Sequence, residues 1–513
     1  SGTLTATLEA SGSAGTDDFE VDLGTGGTYD LTASSSETSG NYNLNLTEDG
    51  DYSATLAGFD ASDSLTITGA TVDVTNLNSG NDLGGLETIE LGTNDLSATA
   101  AQIDALTTLN AETAGNVDVT ALGSSAVDLT VVSTDNAGTA TIDGNDVTLN
   151  SSTQLGDFDL VLDNSQGIVL TDEVQADGRA VQTLADGTST TLGIDIQNAG
   201  GAFTLDASGY ATDIETITLG ANSGQDLTLD NLTLAGGQTL QAIDPTGTAS
   251  LNLARAESTG TVNLDLGDGT RNINLTGNPS SHETVNVELA EAGTYTGNWS
   301  GFAGSDALSL TAAADAEVDV IGVNGLSGFA SVDLGVADLQ TTTAQIDGLS
   351  ITNANTSGGT VSASGLANNT AVDLSNVEAD AAGTLTLGVS DVTLDAGADL
   401  GDFAVELAND QSLTALSAAQ LTNSDESGRE ILTGGDGTGT AVGLDFATAN
   451  SSMTVDAANW SADLGGVNFV NTNTQALTLN NLSVDSGTAL DFSNLSDGSA
   501  TVDMSDGSGN ALA

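Results

Sequence analysis

Short runs that alternate apolar and polar residues recur along the whole chain, and this period of two constrains the fold more than any other feature. Phe19-Glu20-Val21-Asp22-Leu23, Leu65-Thr66-Ile67-Thr68, Thr88-Ile89-Glu90-Leu91, Val117-Asp118-Val119, Leu227-Thr228-Leu229 and Leu477-Thr478-Leu479 all follow it. Side chains on a strand point alternately to opposite faces, so each run predicts a β-strand with one face inward and one solvated. Gaps of about 8–12 residues containing Gly, Asn or Asp separate many of the runs, as all-β folds favour. There are 63 Gly residues for turns and only Pro245 and Pro279 to interrupt the chain. Aromatic residues make up 3%, so a core must be built in thin layers from Leu, Val, Ile, Ala and Thr.

The spacing permits β-sandwiches or a solenoid. Scarce aromatics, scarce Pro and strands of only four or five residues favour an all-β, elongated, parallel β-solenoid of β-helix type. With coils of roughly 20–25 residues rising by about 4.8 Å, such a chain would form a rod on the order of 100 Å long.

The sequence also repeats itself. Asn45 to Thr68 returns as the stretch ending at Thr311, so that Tyr52 matches Tyr295, Gly58-Phe59 matches Gly301-Phe302 and Ser62-Asp63 matches Ser305-Asp306. Ala101-Gln102-Ile103-Asp104 returns as Ala344-Gln345-Ile346-Asp347, and Leu155-Gly156-Asp157-Phe158 as Leu400-Gly401-Asp402-Phe403. Gly178-Arg179, Asp186-Gly187-Thr188 and Asp206-Ala207 return as Gly428-Arg429, Asp436-Gly437-Thr438 and Asp456-Ala457. The order holds throughout, which marks a divergent tandem duplication with units 1–247 and 248–513. One duplicated segment departs from the strand pattern. Leu96 to Leu106 and Leu339 to Leu349 carry apolar residues at helical spacing behind a Ser or Thr, which predicts a short helical insertion with a packing role.

Composition excludes several functions. Asp and Glu number 72 against 4 Arg (Arg179, Arg255, Arg271, Arg429), with no Lys, no Cys and a net charge of −68. Such a surface repels a polyanion, so no nucleic-acid partner is expected. No apolar run approaches the roughly 18–20 residues of a membrane-spanning helix. Without Lys or Cys, and with one His, enzyme chemistry has almost nothing to build on. A glycosidase would need paired carboxyls in a cleft with aromatic platforms, and only Trp299 and Trp460 offer themselves. His282 beside Ser281 has no counterpart in the first unit and no nucleophile-elbow motif around it, so a surface loop is the expectation. One His cannot make a zinc site.

Oxygen ligands remain, and they point to Ca²⁺. Asp49-Gly50-Asp51, Asp143-Gly144-Asn145-Asp146, Asp268-Gly269 and Asp436-Gly437 place carboxylate or amide oxygens at Gly turns. Asp49, Asp51, Asp143, Asp146, Asp268 and Asp436 are therefore the candidate metal ligands, with an ordinary β-turn as the competing reading of each cluster. Sequons such as Asn298-Trp299-Ser300 are expected by chance in this composition.

A Thr/Ala/Gly/Asp/Asn-rich, Cys-free, Lys-free chain with acidic Gly turns and short strands resembles bacterial S-layer proteins and the calcium-dependent, RTX-like cell-surface proteins of type I secretion. Proteins of that kind carry the nonapeptide G-G-x-G-x-D-x-U-x. Gly434 to Val442 begins like it but has Gly439 where the pattern has Asp, and no tandem array follows. The resemblance implies an extracellular, non-enzymatic protein of the cell surface that assembles with itself, with Ca²⁺ at subunit contacts and cell-surface polysaccharide as a further partner. The second reading is the repetitive stalk or ligand-binding region of an adhesin. Any export signal is expected outside this sequence.

Overall fold

A computed structural model describes residues 3–9, 17–34, 40–142, 144–184, 186–196, 201–220, 226–242, 247–256, 260–277, 284–352, 359–445, 447, 452–471, 474–485, 487–495 and 499–503. The chain divides into two compact units, Ser1–Ala256 and Glu257–Ala513. Each is an all-β solenoid of parallel strands; helix accounts for 5% of the chain, and the solenoid turns number about 19 in all.

In the first unit the strand Thr3–Glu9 pairs with Thr28–Ser34, and that strand with Gly50–Ala57. Thr3 lies beside Thr28 and Thr28 beside Ser53, so one turn takes 25 residues there. Between these strands run others of a second stack, in which Asp17–Leu23 pairs with Gly40–Leu46 and Gly40–Leu46 with Ser64–Ile67. Every described ladder between strands is parallel, because the chain returns to the same face once per turn.

The alternation read from the sequence decides which residues enter the core. Ile168, Leu192, Ile217 and Leu240 stand one above another on four successive turns, all fully buried. In the second unit Val392, Leu413, Val442 and Val467 form the matching column. Each buried Leu, Ile or Val contributes about 1.5–3 kcal/mol, and a column repeats that gain every turn.

Equivalent residues of the two units do the same work, as a tandem repeat requires. Asp63 and Asp306 are buried, and each carboxylate joins two backbone N–H groups. Asp63 accepts from Tyr42 and Asp60; Asp306 accepts from Val285 and Ala303. Gly187 and Gly437 both adopt positive φ against a carbonyl of the next turn.

The predicted helices are shorter than the apolar spacing suggested. Asp95–Thr99 and Asp338–Thr342 are strands, and only Ala100–Asp104 and Thr343–Ile346 are helical. Leu96 and Leu339 extend the strand ladders, and pairing with neighbouring turns wins over local helical periodicity. Each helix begins with a capping box, Thr99 with Gln102 and Thr342 with Gln345.

Candidate functional site

The described candidate cation ligands fall on four turns, with Asp49 and Asp51 together on one. Asp49 is exposed, and its Oδ1 accepts from the Ala70 N–H at 2.5 Å and the Thr71 N–H at 3.3 Å on the following turn. Asp51 is exposed on the strand Gly50–Ala57, facing Asp73 in register. Asp146 is exposed on Asp146–Thr148, and its carboxylate overlies Gly167, where a Cβ would stand 2.6 Å from Oδ1. Asp268 is exposed beside Arg271, whose charge it faces. Asp436 accepts from the Thr438 N–H at 3.1 Å and the Asn409 amide at 2.9 Å. The Thr438 hydroxyl, then its N–H and Asn409, hold the Asp436 carboxyl below the ordinary carboxylate range. Asp143 and His282 lie outside the described residues. Among the described residues no three Asp, Glu or His side chains converge as a metal ion needs.

Many other carboxylates have structural work. One group spans turns by accepting backbone N–H groups. Asp95 takes Asn116, Asp104 takes Asp128, Asp338 takes Thr360 and Asp347 takes Asp373, at 2.5–3.1 Å. A second group forms local Asp-x-Ser/Thr turns, as in Asp128 with Thr130, Asp186 with Thr188 and Asp373 with Ser375. The serine or threonine hydroxyl is the first cause of a lowered carboxyl pKa in all three.

The basic residues face the other way. Arg255, Arg271 and Arg429 are 5%, 1% and 0% exposed, and Arg179 is half-buried. Arg429 donates Nε to Gln420 O, Nη1 to Phe403 O, and Nη2 to Gly401 O and Thr422 O. Arg179 repeats the arrangement with Gln175 O, Phe158 O and Gly156 O. Burial lowers both guanidinium pKa values, Arg429 to about 10, while Asp402 and Asp399 oppose the shift at Arg429. Among described carboxylates only Asp63 and Asp306 are buried. The outer surface is therefore anionic, with Arg179 alone of the four arginines reaching it in part.

A family of glutamines, which the sequence reading passed over, closes the corners. Gln102 Nε2 donates to Val74 O and Leu77 O of the preceding turn, and Gln345 Nε2 to Val320 O and Val323 O. Gln175 reaches Asn150 O and Thr153 O, and Gln420 reaches Asp395 O. Thr99-x-x-Gln102, Asp172-x-x-Gln175, Thr342-x-x-Gln345 and Ser417-x-x-Gln420 share a helix-start signature that would have found them.

Two of the clefts that open on the surface lie among the described residues. One, of about 280 Å³, is lined by Asp186, Asp213, Glu215 and Gln238. The other, of about 270 Å³, is lined by Ser375, Asp399, Asp402 and Asn423. The tryptophans are not platforms in either: Trp299 is 1% exposed and donates Nε1–H to Arg271 O at 2.8 Å, and Trp460 is buried. Among the described residues no helix is long and apolar enough to cross a membrane. No protein family, curated protein or solved structure matches this chain.

Proposed function

We propose that the chain is an extracellular structural protein that assembles with itself into a cell-surface layer or filament, with divalent cations such as Ca²⁺ between copies. The supporting observation is the partition of charge. Arg179 and Arg429 are turned toward backbone carbonyls and Arg255 and Arg271 are buried, so two copies meet carboxylate to carboxylate. Association of such surfaces requires screening or bridging by cations. The duplication adds a second argument, since two similar units present quasi-equivalent contact surfaces that can propagate head to tail. Cell-surface polysaccharide is a further partner in this reading.

Negative-stain electron microscopy of the purified chain, with millimolar Ca²⁺ and with a chelator, tests it. Ordered sheets or fibres that disperse on chelation support assembly through cations. Single particles under both conditions contradict self-assembly and favour an adhesin stalk that binds another surface.

A further inference from the structure

In RTX-like proteins the nonapeptide turns bind Ca²⁺, yet the residues at several described turn corners of this chain do not suit it. A Ca²⁺ site takes six to eight oxygen ligands, among them backbone carbonyls with free lone pairs. At several described corners, carbonyls face N–H donors of the chain's own side chains. Gln102 and Gln345 each join two carbonyls of the turn before, and Asn136 joins Glu112 O and Gly115 O. Arg179 and Arg429 place a full positive charge among three and four carbonyls respectively. In the stretch nearest the nonapeptide, Asp436 is engaged by Thr438 and Asn409. A donor N–H or a guanidinium occupies the position that a cation would take, and repels it.

We infer that the solenoid folds without Ca²⁺: amide and guanidinium clamps close its corners, and cations act only outside the folded units. The inference concerns folding alone and stands or falls separately from assembly.

The test is far-UV circular dichroism and thermal unfolding of the full chain in about 1 M NaCl, where the Debye length is about 3 Å and general repulsion is screened. Samples contain EGTA, Ca²⁺ or Mg²⁺. The expected result is a β-sheet spectrum in EGTA and unfolding midpoints in Ca²⁺ and Mg²⁺ that differ by less than about 5 °C. A coil spectrum in EGTA that Ca²⁺ alone converts to sheet overturns the inference. So does a Ca²⁺ midpoint above that in Mg²⁺ by about 5 °C or more. A second measurement separates the clamps from the metal. Gln345→Leu, which cannot donate, is expected to lower the midpoint by the same amount in EGTA and in Ca²⁺. Full recovery of that variant by Ca²⁺ overturns the inference as well.

Discussion

Replacing Arg429 by Met keeps much of the side-chain volume and removes every donor. Four carbonyl oxygens, those of Gln420, Phe403, Gly401 and Thr422, lose their partner in a site where the Arg is 0% exposed. An orphaned buried acceptor costs about 1–3 kcal/mol, which sets an upper range of about 4–12 kcal/mol for four. Relief from burying a guanidinium offsets several kcal/mol of that sum. The net expectation is a loss of about 3–5 kcal/mol, in line with breaking other buried charge networks. Arg179→Met provides the internal comparison, because its three carbonyls lie at a half-exposed site where water can replace the donors. It is expected to cost about 1–2 kcal/mol less than the Arg429 change. Urea unfolding followed by circular dichroism gives both values. An Arg429→Met chain within about 0.5 kcal/mol of the parent, or one less affected than Arg179→Met, would refute the claim that guanidinium clamps hold the corners.

Three further outcomes follow from the same features. Raising NaCl from about 10 mM to about 1 M shortens the Debye length from about 30 Å to about 3 Å, so the thermal midpoint should climb; a flat or falling midpoint contradicts a self-repelling surface. At high salt, acid should destabilise the fold: Asp128, Asp186, Asp373 and Asp436 have folded pKa values below the unfolded one, so their contribution is present above the unfolded pKa and is lost as pH falls through the folded values. Asp63, raised by burial, and Asp265, raised by partial burial, oppose this trend, while Tyr295, raised to about 12, adds a loss of stability as pH climbs past about 10. A pH titration of the unfolding midpoint that shows no acid loss at high salt would count against the Asp-x-Ser/Thr turns as stabilising elements. Gly187→Ala and Gly437→Ala each force a Cβ to 1.8 Å from a backbone oxygen, Asp213 O and Asp463 O, at positive φ. Both should cost at least about 2 kcal/mol, whereas Gly144→Ala, with open space around it, should cost about 1 kcal/mol; equal effects would contradict the turn geometry.

The strands were legible because period-2 alternation survives even in short pieces such as Leu65-Thr66-Ile67-Thr68, whose first three residues lie in the strand Ser64–Ile67. Duplication was legible from rare residues in register, and Arg179 with Arg429 make matching hydrogen bonds. The inward course of those arginines was not legible. A charged side chain is ordinarily a surface residue, and only the stacking of turns brings three or four carbonyls to one point. For the same reason one sequence shows Asp49 and Asp436 at Gly turns, but not the N–H groups of the neighbouring turn or of Asn409 that their carboxylates meet. The helix at Leu96 to Leu106 was overdrawn because periodicity cannot see that Leu96 and Ala98 lie beside Val117 and Val119 in a ladder.

The proposed assembly requires that cations neutralise the carboxylates of the surface. Sedimentation velocity of the purified chain, in chelator and again in millimolar Ca²⁺ at matched ionic strength, addresses that directly. The predicted result is a single slow species in chelator and large, reversible assemblies in Ca²⁺. A single slow species in both, from chains that circular dichroism reports as folded, would contradict it.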